Sequence, residues 1–346
     1  MEPSMFESKK RPHWADLPVP VRTSIEALLG GSVAEAESCA GGFSPGFASR
    51  LTLEGGRRAF VKAVDGQRWP TEASHSRAEA EVAGRLPAGL PVARLLTAQD
   101  DGRWVILAFE HVDGAEPVQP WTAPQIRRVV AQAVALARAG TPSPVDLPRD
   151  HPRLGGWARL AGLPSGPDRL RGVSTWAFEH LDRLTAVERE GMDAAQGDCL
   201  VHFDLYPHNV LLTRDRVVFV DWPHARLGAP VIDLITLLSS VAADGIDPAP
   251  YVPESGFGLP GRPAAFDAIL AAHAGFLLAG ALSPMPAGLE AIAAEKLRLG
   301  IGAVRWLQRR GTFRVLTAST GVETGLDRLP LNGTQPAATL EGGWRK

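Results

Sequence analysis

Gly197–Leu234 reads GDCLVHFDLYPHNVLLTRDRVVFVDWPHARLGAPVIDL, and this stretch decides the fold. An apolar run, Cys199-Leu200-Val201, delivers His202-Phe203-Asp204 to a loop. Two short β-forming segments follow, Asn209–Thr213 and Val217–Asp221, around the polar turn Arg214-Asp215-Arg216. Apolar segments joined by so short a polar link predict an antiparallel hairpin. With Arg214 and Asp215 as a two-residue loop, Asn209 lies opposite Val220, and Asp221 is its diagonal neighbour, roughly 5–8 Å away. One end of the hairpin then gathers Asp204, Asn209 and Asp221 as oxygen ligands and acceptors. Hard oxygens in this arrangement suit magnesium carrying phosphates.

The chain has 346 residues, enough for one large domain or two lobes with a substantial core. At 45% hydrophobic, 21% charged and a net charge of −2, it reads as an ordinary soluble protein, and near-neutrality gives nucleic-acid binding no support. Cys39 and Cys199 are far apart and form no CxxC, which fits a reduced, cytoplasmic protein. The start, MEPSMFESKKRPHW, lacks the apolar core of a signal peptide. Apolar stretches such as Ala274–Leu282 read as too short and too broken by glycine to span a bilayer, so no membrane partner is expected. Lysine is rare. Lys62 is the only one between residues 11 and 295.

Residues 1–12 read as a mobile tail, and Val19–Leu29 as a helix stopped by Gly30-Gly31. Strands are expected at Ala36–Cys39, Phe47–Leu53 and Arg58–Val64, with the glycine-rich link Ala40–Gly46 between the first two. Such a link is ordinarily a hairpin turn, but its N–H groups can also approach phosphate oxygens. A lysine among β-formers ordinarily faces solvent, and Lys62 lies in Phe60-Val61-Lys62-Ala63-Val64. Thr71–Leu86 has helical spacing and carries Glu72, Glu79 and Glu81. Leu95-Leu96 and Trp104–Phe109 complete five strands, ending at Glu110-His111-Val112-Asp113-Gly114. Beyond Thr122 the pattern is helical: Pro124–Ala139, Trp157–Leu163, Trp176–Leu184, Ala186–Ala195, Pro230–Ala242, Pro263–Leu282 and Leu289–Arg310. A Pro-rich loop separates the first two of these helices.

His202-x-Asp204-x4-Asn209 followed by Asp221 resembles the catalytic loop and metal-binding aspartate of the aminoglycoside phosphotransferase family, small-molecule relatives of protein kinases. The resemblance implies an α+β, bilobal, protein-kinase-like fold. Its parts would be a tail and helix (1–30), a small antiparallel-sheet lobe for nucleotide (31–113), a mainly helical lobe for catalysis and acceptor (114–312) and an irregular tail (313–346). It implies ATP and magnesium as cofactors and a small-molecule hydroxyl acceptor, such as an aminoglycoside, another antibiotic, an amino sugar or a related metabolite. Asp204 would take the acceptor's proton, and Asn209 and Asp221 would hold magnesium. Lys62 would pair with phosphate, braced by Glu79, whose Val82 and Leu86 stand at the family's spacing. Gly41, Gly42 and Ser44 would cover the phosphates, and backbone at Glu110, His111 and Val112 would meet the adenine edge. His202 and Asp233 would support the loop. The chain departs from protein kinases in having Asp221-Trp222-Pro223 and no Ala-Pro-Glu, with too short an Asp221–Asp233 interval for a peptide shelf.

Two other classes can be read from the same residues. His202, Asp204, His208 and His224 could ligate zinc or iron in a hydrolase. A kinase-like binding module without catalysis is the other, although every polar catalytic position is filled. Acidic and basic residues balance after Ala115, and Glu179, Asp182, Glu188, Glu190 and Asp193 read as solvated helix faces together with Asp244 and Asp247. The expected acceptor therefore carries few positive charges.

Overall fold

Ala59, Val61 and Ala63 alternate with Phe60 and Lys62 along one strand, and this two-sided strand becomes the centre of a sheet. In the computed structural model, which describes residues 11–39, 45–252, 263–284 and 289–311, the sheet is antiparallel and five-stranded. Its strands are β1 (Val33–Ser38), β2 (Phe47–Leu53), β3 (Arg58–Asp65), β4 (Leu95–Asp100) and β5 (Trp104–Glu110), in the order β1-β2-β3-β5-β4. Helix α1 (Val19–Leu29) covers one face: Leu17, Val21, Ile25 and Leu29 pack on Phe47, Leu51, Val61, Ala63 and Ile106. Its end is set by Gly30 at φ 66°, a conformation glycine adopts without steric cost. Helix α2 (Pro70–Arg85) covers the other face, where Ala73, Ala80 and Ala83 meet Val64, Val105, Leu107 and Phe109. Lys62 is on that second face, so it points at a helix rather than into solvent. The N-terminal tail expected over residues 1–12 falls almost entirely outside the described residues. Arg11, at its edge, is half-buried.

The rest of the described chain is mainly helical: α3 (Ala123–Ala139), α4 (Trp157–Gly162), α5 (Gly166–Val173), α6 (Thr175–Glu179), α7 (Leu181–Ala194), α8 (Val231–Ala243), α9 (Pro263–Leu282) and α10 (Glu290–Arg310). Two small ladders interrupt the helices. Strand β6 (Cys199–Val201) pairs with β9 (Arg226–Gly228), and β7 (Val210–Leu212) pairs with β8 (Val217–Phe219). The hairpin has the register expected from its loop: Val210 faces Phe219, and the Val220 N–H donates to the Asn209 carbonyl at 3.0 Å. Its outer side joins the sheet-bearing part. The Phe219 N–H donates to the Pro91 carbonyl at 2.7 Å, and Ala115 and Leu212 exchange backbone hydrogen bonds. A Cβ at Gly114 would stand 3.1 Å from the Leu212 carbonyl oxygen, so a side chain there would crowd the crossing chain.

Several expectations need correction. The chain breaks at His180 and not near Thr185, because the buried stripe Leu181, Leu184, Val187, Gly191 runs straight through the expected gap. Helix α5 and strand β9 were not anticipated; β9 is three residues long, and its partner β6 is distant in sequence. Helix α9 is 20 residues long, and by length and composition it could cross a bilayer, contrary to the expectation for this stretch. Yet 72% of its apolar window is buried inside the protein, where it packs as a core helix. Glu188 is no solvated charge. It is 6% exposed and accepts the N–H groups of Gly156, Trp157 and Ala158 at 2.7, 2.9 and 3.0 Å, satisfying the open N-terminus of α4. Asp244 also has partners, the Trp121 N–H and Arg298.

Glu188→Ala would leave those three donors of α4 buried without an acceptor. It is expected to destabilise the protein by about 1–3 kcal/mol, read as a lowered urea midpoint with an unchanged slope.

Candidate active site

Asp233 lies in the first turn of the almost wholly buried helix α8, where an unpartnered carboxylate would be costly. It accepts the N–H of His202 at 2.8 Å and that of Phe203 at 2.9 Å. Burial pushes its pKa up, against the pull of His202 and these two donors. The bonds hold a bent backbone. Phe203 has φ 68°, a left-handed conformation that costs a bulky residue about 1–2 kcal/mol. His151 stacks on the Phe203 ring at 5.4 Å. His202 is fully buried and has backbone partners at both ring nitrogens. Nε2 donates to the Val220 carbonyl at 2.9 Å, and Nδ1 accepts the Asp204 N–H at 3.3 Å.

The bent loop sets Asp204 beside the hairpin end. Asn209 closes a short 3-10 turn, Pro207–Asn209, and donates through Nδ2 to the Asp204 carbonyl at 2.8 Å and to its carboxylate at 3.3 Å. That leaves the Asn209 amide oxygen available. Asp221 follows β8 with φ 68°, a second left-handed residue on the opposite chain of the hairpin. Asp204, Asn209 and Asp221 thus meet at one end of the hairpin, each placed by backbone hydrogen bonds or turns.

Lys62 reaches the same place from the sheet. Its Nζ donates to Glu79 Oε1 and Oε2 at 2.8 and 2.7 Å and to Asp221 Oδ1 at 3.0 Å. Of the three glutamates on α2, Glu79 is the one against Lys62, at 3% exposure; Glu72 is half-buried, and Glu81 is exposed and pairs with Arg85. Burial works against the Lys62 charge, but Asp221 and Glu79 outweigh it and hold the ammonium above its ordinary pKa. Burial raises Glu79 above the usual carboxylate range despite Lys62. Asp221 goes the other way: Lys62 overcomes the effect of burial and holds it low. The Asp221 side chain is 45% exposed, so one edge of the pair opens to the cleft.

Glu110, His111 and Val112 continue β5 towards the crossing at Gly114. The Glu110 N–H donates to the Arg94 carbonyl at 2.9 Å, and the Val112 carbonyl accepts from Gly114 at 3.0 Å. His111 Nε2 is buried without a hydrogen-bond partner, and burial lowers its pKa, helped by Arg58 and Arg50. Gly41, Gly42 and Ser44 lie outside the described residues. The zinc or iron reading gains nothing: His202 is turned onto backbone, and among the described residues no group of three His, Cys, Asp or Glu side chains could hold a metal.

Arg153 was missed. Its Nη1 donates to Asp204 Oδ1 at 2.7 Å from the Pro-rich loop before α4. Arginine is too common here for one in an irregular loop to stand out.

A small antiparallel sheet joined to a helical body, with a lysine–glutamate pair touching an aspartate across from Asp204 and Asn209, defines the kinase-like class of small-molecule phosphotransferases. The chain belongs to the phosphotransferase enzyme family APH, whose model matches residues 35–266. The fold is similar to that of a choline/ethanolamine kinase family protein from Mesorhizobium loti (17% identity, TM-score 0.56), over 86% of this chain and 98% of that one. It is also similar to the amicoumacin kinase hAmiN in complex with AMP-PNP, Ca2+ and Ami (15% identity, TM-score 0.51), over 85% and 96%. At these identities the likeness is one of fold. Protein LicA of Haemophilus influenzae is 38% identical over 77 residues, 20% of this chain and 22% of that protein, so the match spans about a fifth of LicA.

The Lys62–Glu79 contact yields a prediction. Lys62→Ala and Glu79→Ala should each lower phosphoryl transfer by at least about tenfold, and the double variant should be far less than additive. Steady-state kinetics of the four proteins checks this. Fully additive losses would show that the two residues act separately.

Proposed function

We propose that the protein transfers the terminal phosphoryl group of ATP, bound with magnesium, to a hydroxyl of a small molecule, and that it works in the cytoplasm. The observation that carries this reading is Lys62 bonded at once to Glu79 and to Asp221, beside a loop that presents Asp204 and Asn209. Glu79 fixes the ammonium so that it meets phosphate oxygens without reorganising. Preorganised charge of this kind is a large term in phosphoryl transfer. The backbone of Glu110–Val112 would face the adenine edge.

The oxygens present fit magnesium. Asp221 has one oxygen on Lys62 and a second not bonded to it, and Asn209 keeps its amide oxygen because its NH2 is held by Asp204. Magnesium is commonly held by one or two protein oxygens, with phosphate and water completing the shell. When bound, it would neutralise the terminal phosphates and align them. Asp204 would accept the acceptor's proton as the hydroxyl oxygen bonds to phosphorus and ADP leaves. Asp233 and His202 would hold Asp204 in place through the backbone, without touching substrate.

Asp204→Asn keeps shape and removes the proton acceptor. It should leave folding and nucleotide binding nearly intact while lowering transfer by about 10²–10⁴-fold, read by mass spectrometry of phosphorylated products over a panel of hydroxylated metabolites and antibiotics. Near-native turnover in the variant would refute the assigned role.

A further inference from the structure

Asp204 is also the meeting point of charges that phosphoryl transfer does not use. The Arg153 guanidinium, bonded to Asp204, lies 5.8 Å from the centroid of the Phe276 ring on α9. Lys296 on α10 places its ammonium 5.0 Å from the same ring. The two cations therefore share one aromatic side chain next to the aspartate. Space for Lys296 is built in: a Cβ at Gly280 would come within 3.0 Å of its Cδ and 3.2 Å of its Nζ. Arg159, exposed on α4, adds a third positive charge. Burial, then Arg153 and Arg159, hold the Lys296 ammonium below its ordinary pKa.

Neither Lys296 nor Arg159 forms an ion pair among the described residues, and the nearby acids are engaged. Glu295 is gripped by Arg298 at 2.8 and 2.9 Å, and Arg298 also takes Asp244 at 2.8 Å. Glu188 caps α4. Beneath the cations, Tyr206 is buried with Leu277 and Leu299, and its hydroxyl is 3.3 Å from His273 Nε2. Burial and Arg153 lower the His273 pKa to about 3, so this pair is neutral. An acceptor whose hydroxyl reaches Asp204 comes close to Arg153, which is bonded to it, and Lys296 shares the Phe276 ring with Arg153. A polycation would meet like charge there at close range, whereas an anion would find donors. Arg153 bonds Asp204 through a single nitrogen, and the guanidinium has further N–H groups to offer.

Building on the phosphotransferase reading, we propose that the acceptor is a small hydroxylated anion, its carboxylate or phosphate held by Arg153, Lys296 and Arg159 while its hydroxyl faces Asp204. Binding of four compounds on one three-carbon skeleton tests this: glycerate, glycerol 3-phosphate, glycerol and 3-aminopropane-1,2-diol. Each is titrated into the full-length protein with magnesium and AMP-PNP, observed by ligand-detected NMR. At least one anion should bind about tenfold or more tighter than the neutral and ammonium compounds, and the better of the two names the headgroup. Lys296→Met should weaken that anion severalfold, and so should Arg159→Gln, which lies at the surface and keeps the test alive if the first variant does not fold. Equal or better binding of glycerol or the amine, no binding of either anion, or anion affinity unchanged in the variants would overturn the proposal. Nucleotide binding measured in the same samples separates the failures. AMP-PNP binding without anion preference refutes the acceptor alone, whereas no AMP-PNP binding refutes the phosphotransferase reading beneath it.

Discussion

The Lys62 ammonium holds two carboxylates that come from opposite parts of the chain. Glu79 belongs to the helix on the sheet, and Asp221 belongs to the hairpin in the helical body. Glu79 could not stay buried as an unpaired carboxylate, because desolvating an uncompensated charge costs several kcal/mol. The sheet face, α2 and the hairpin end are therefore positioned together. The arrangement has one exposed side, at Asp221, and that side lies where Asp204 and Asn209 offer their oxygens.

The second constraint is the left-handed backbone at Phe203 and Asp221. Non-glycine residues hold such conformations only where surrounding bonds enforce them. At Phe203 the enforcement is the buried Asp233 carboxylate, with His151 stacked on the ring; at Asp221 it is the Lys62 bond and the hairpin register. The strain at Phe203 is thus offset by the Asp233 carboxylate and the His151 ring, and that at Asp221 by Lys62, which arrives from the sheet. The Pro-rich loop extends this logic. Glu188 and β9 anchor it at either end, and Arg153 between them is carried onto Asp204.

Much of this was legible in the chain, for identifiable reasons. A two-residue loop fixes a hairpin's register, so the juxtaposition of Asn209, Val220 and Asp221 could be read from spacing. Helices α1, α3, α8 and α10 declared themselves through apolar period and glycine or proline stops. Lys62 could be picked out only because lysine is scarce, and Glu79 only through the positions of Val82 and Leu86. What stayed hidden depends on distant partners. Glu188 looks like any helix charge until α4 arrives at its carboxylate, and β9 is a strand only because β6 lies beside it. Arg153 has no local signal, since its importance comes from where the loop lands.

In the proposed mechanism the Lys62–Asp221 edge receives a metal-bound nucleotide. Calorimetric titration of ATP into the full-length protein, with and without magnesium, tests this directly. If Asp221 and Asn209 engage the metal and Lys62 the phosphates, as proposed, ATP affinity should rise about tenfold or more when magnesium is present. ATP that fails to bind, or binds equally well with magnesium removed, would contradict it.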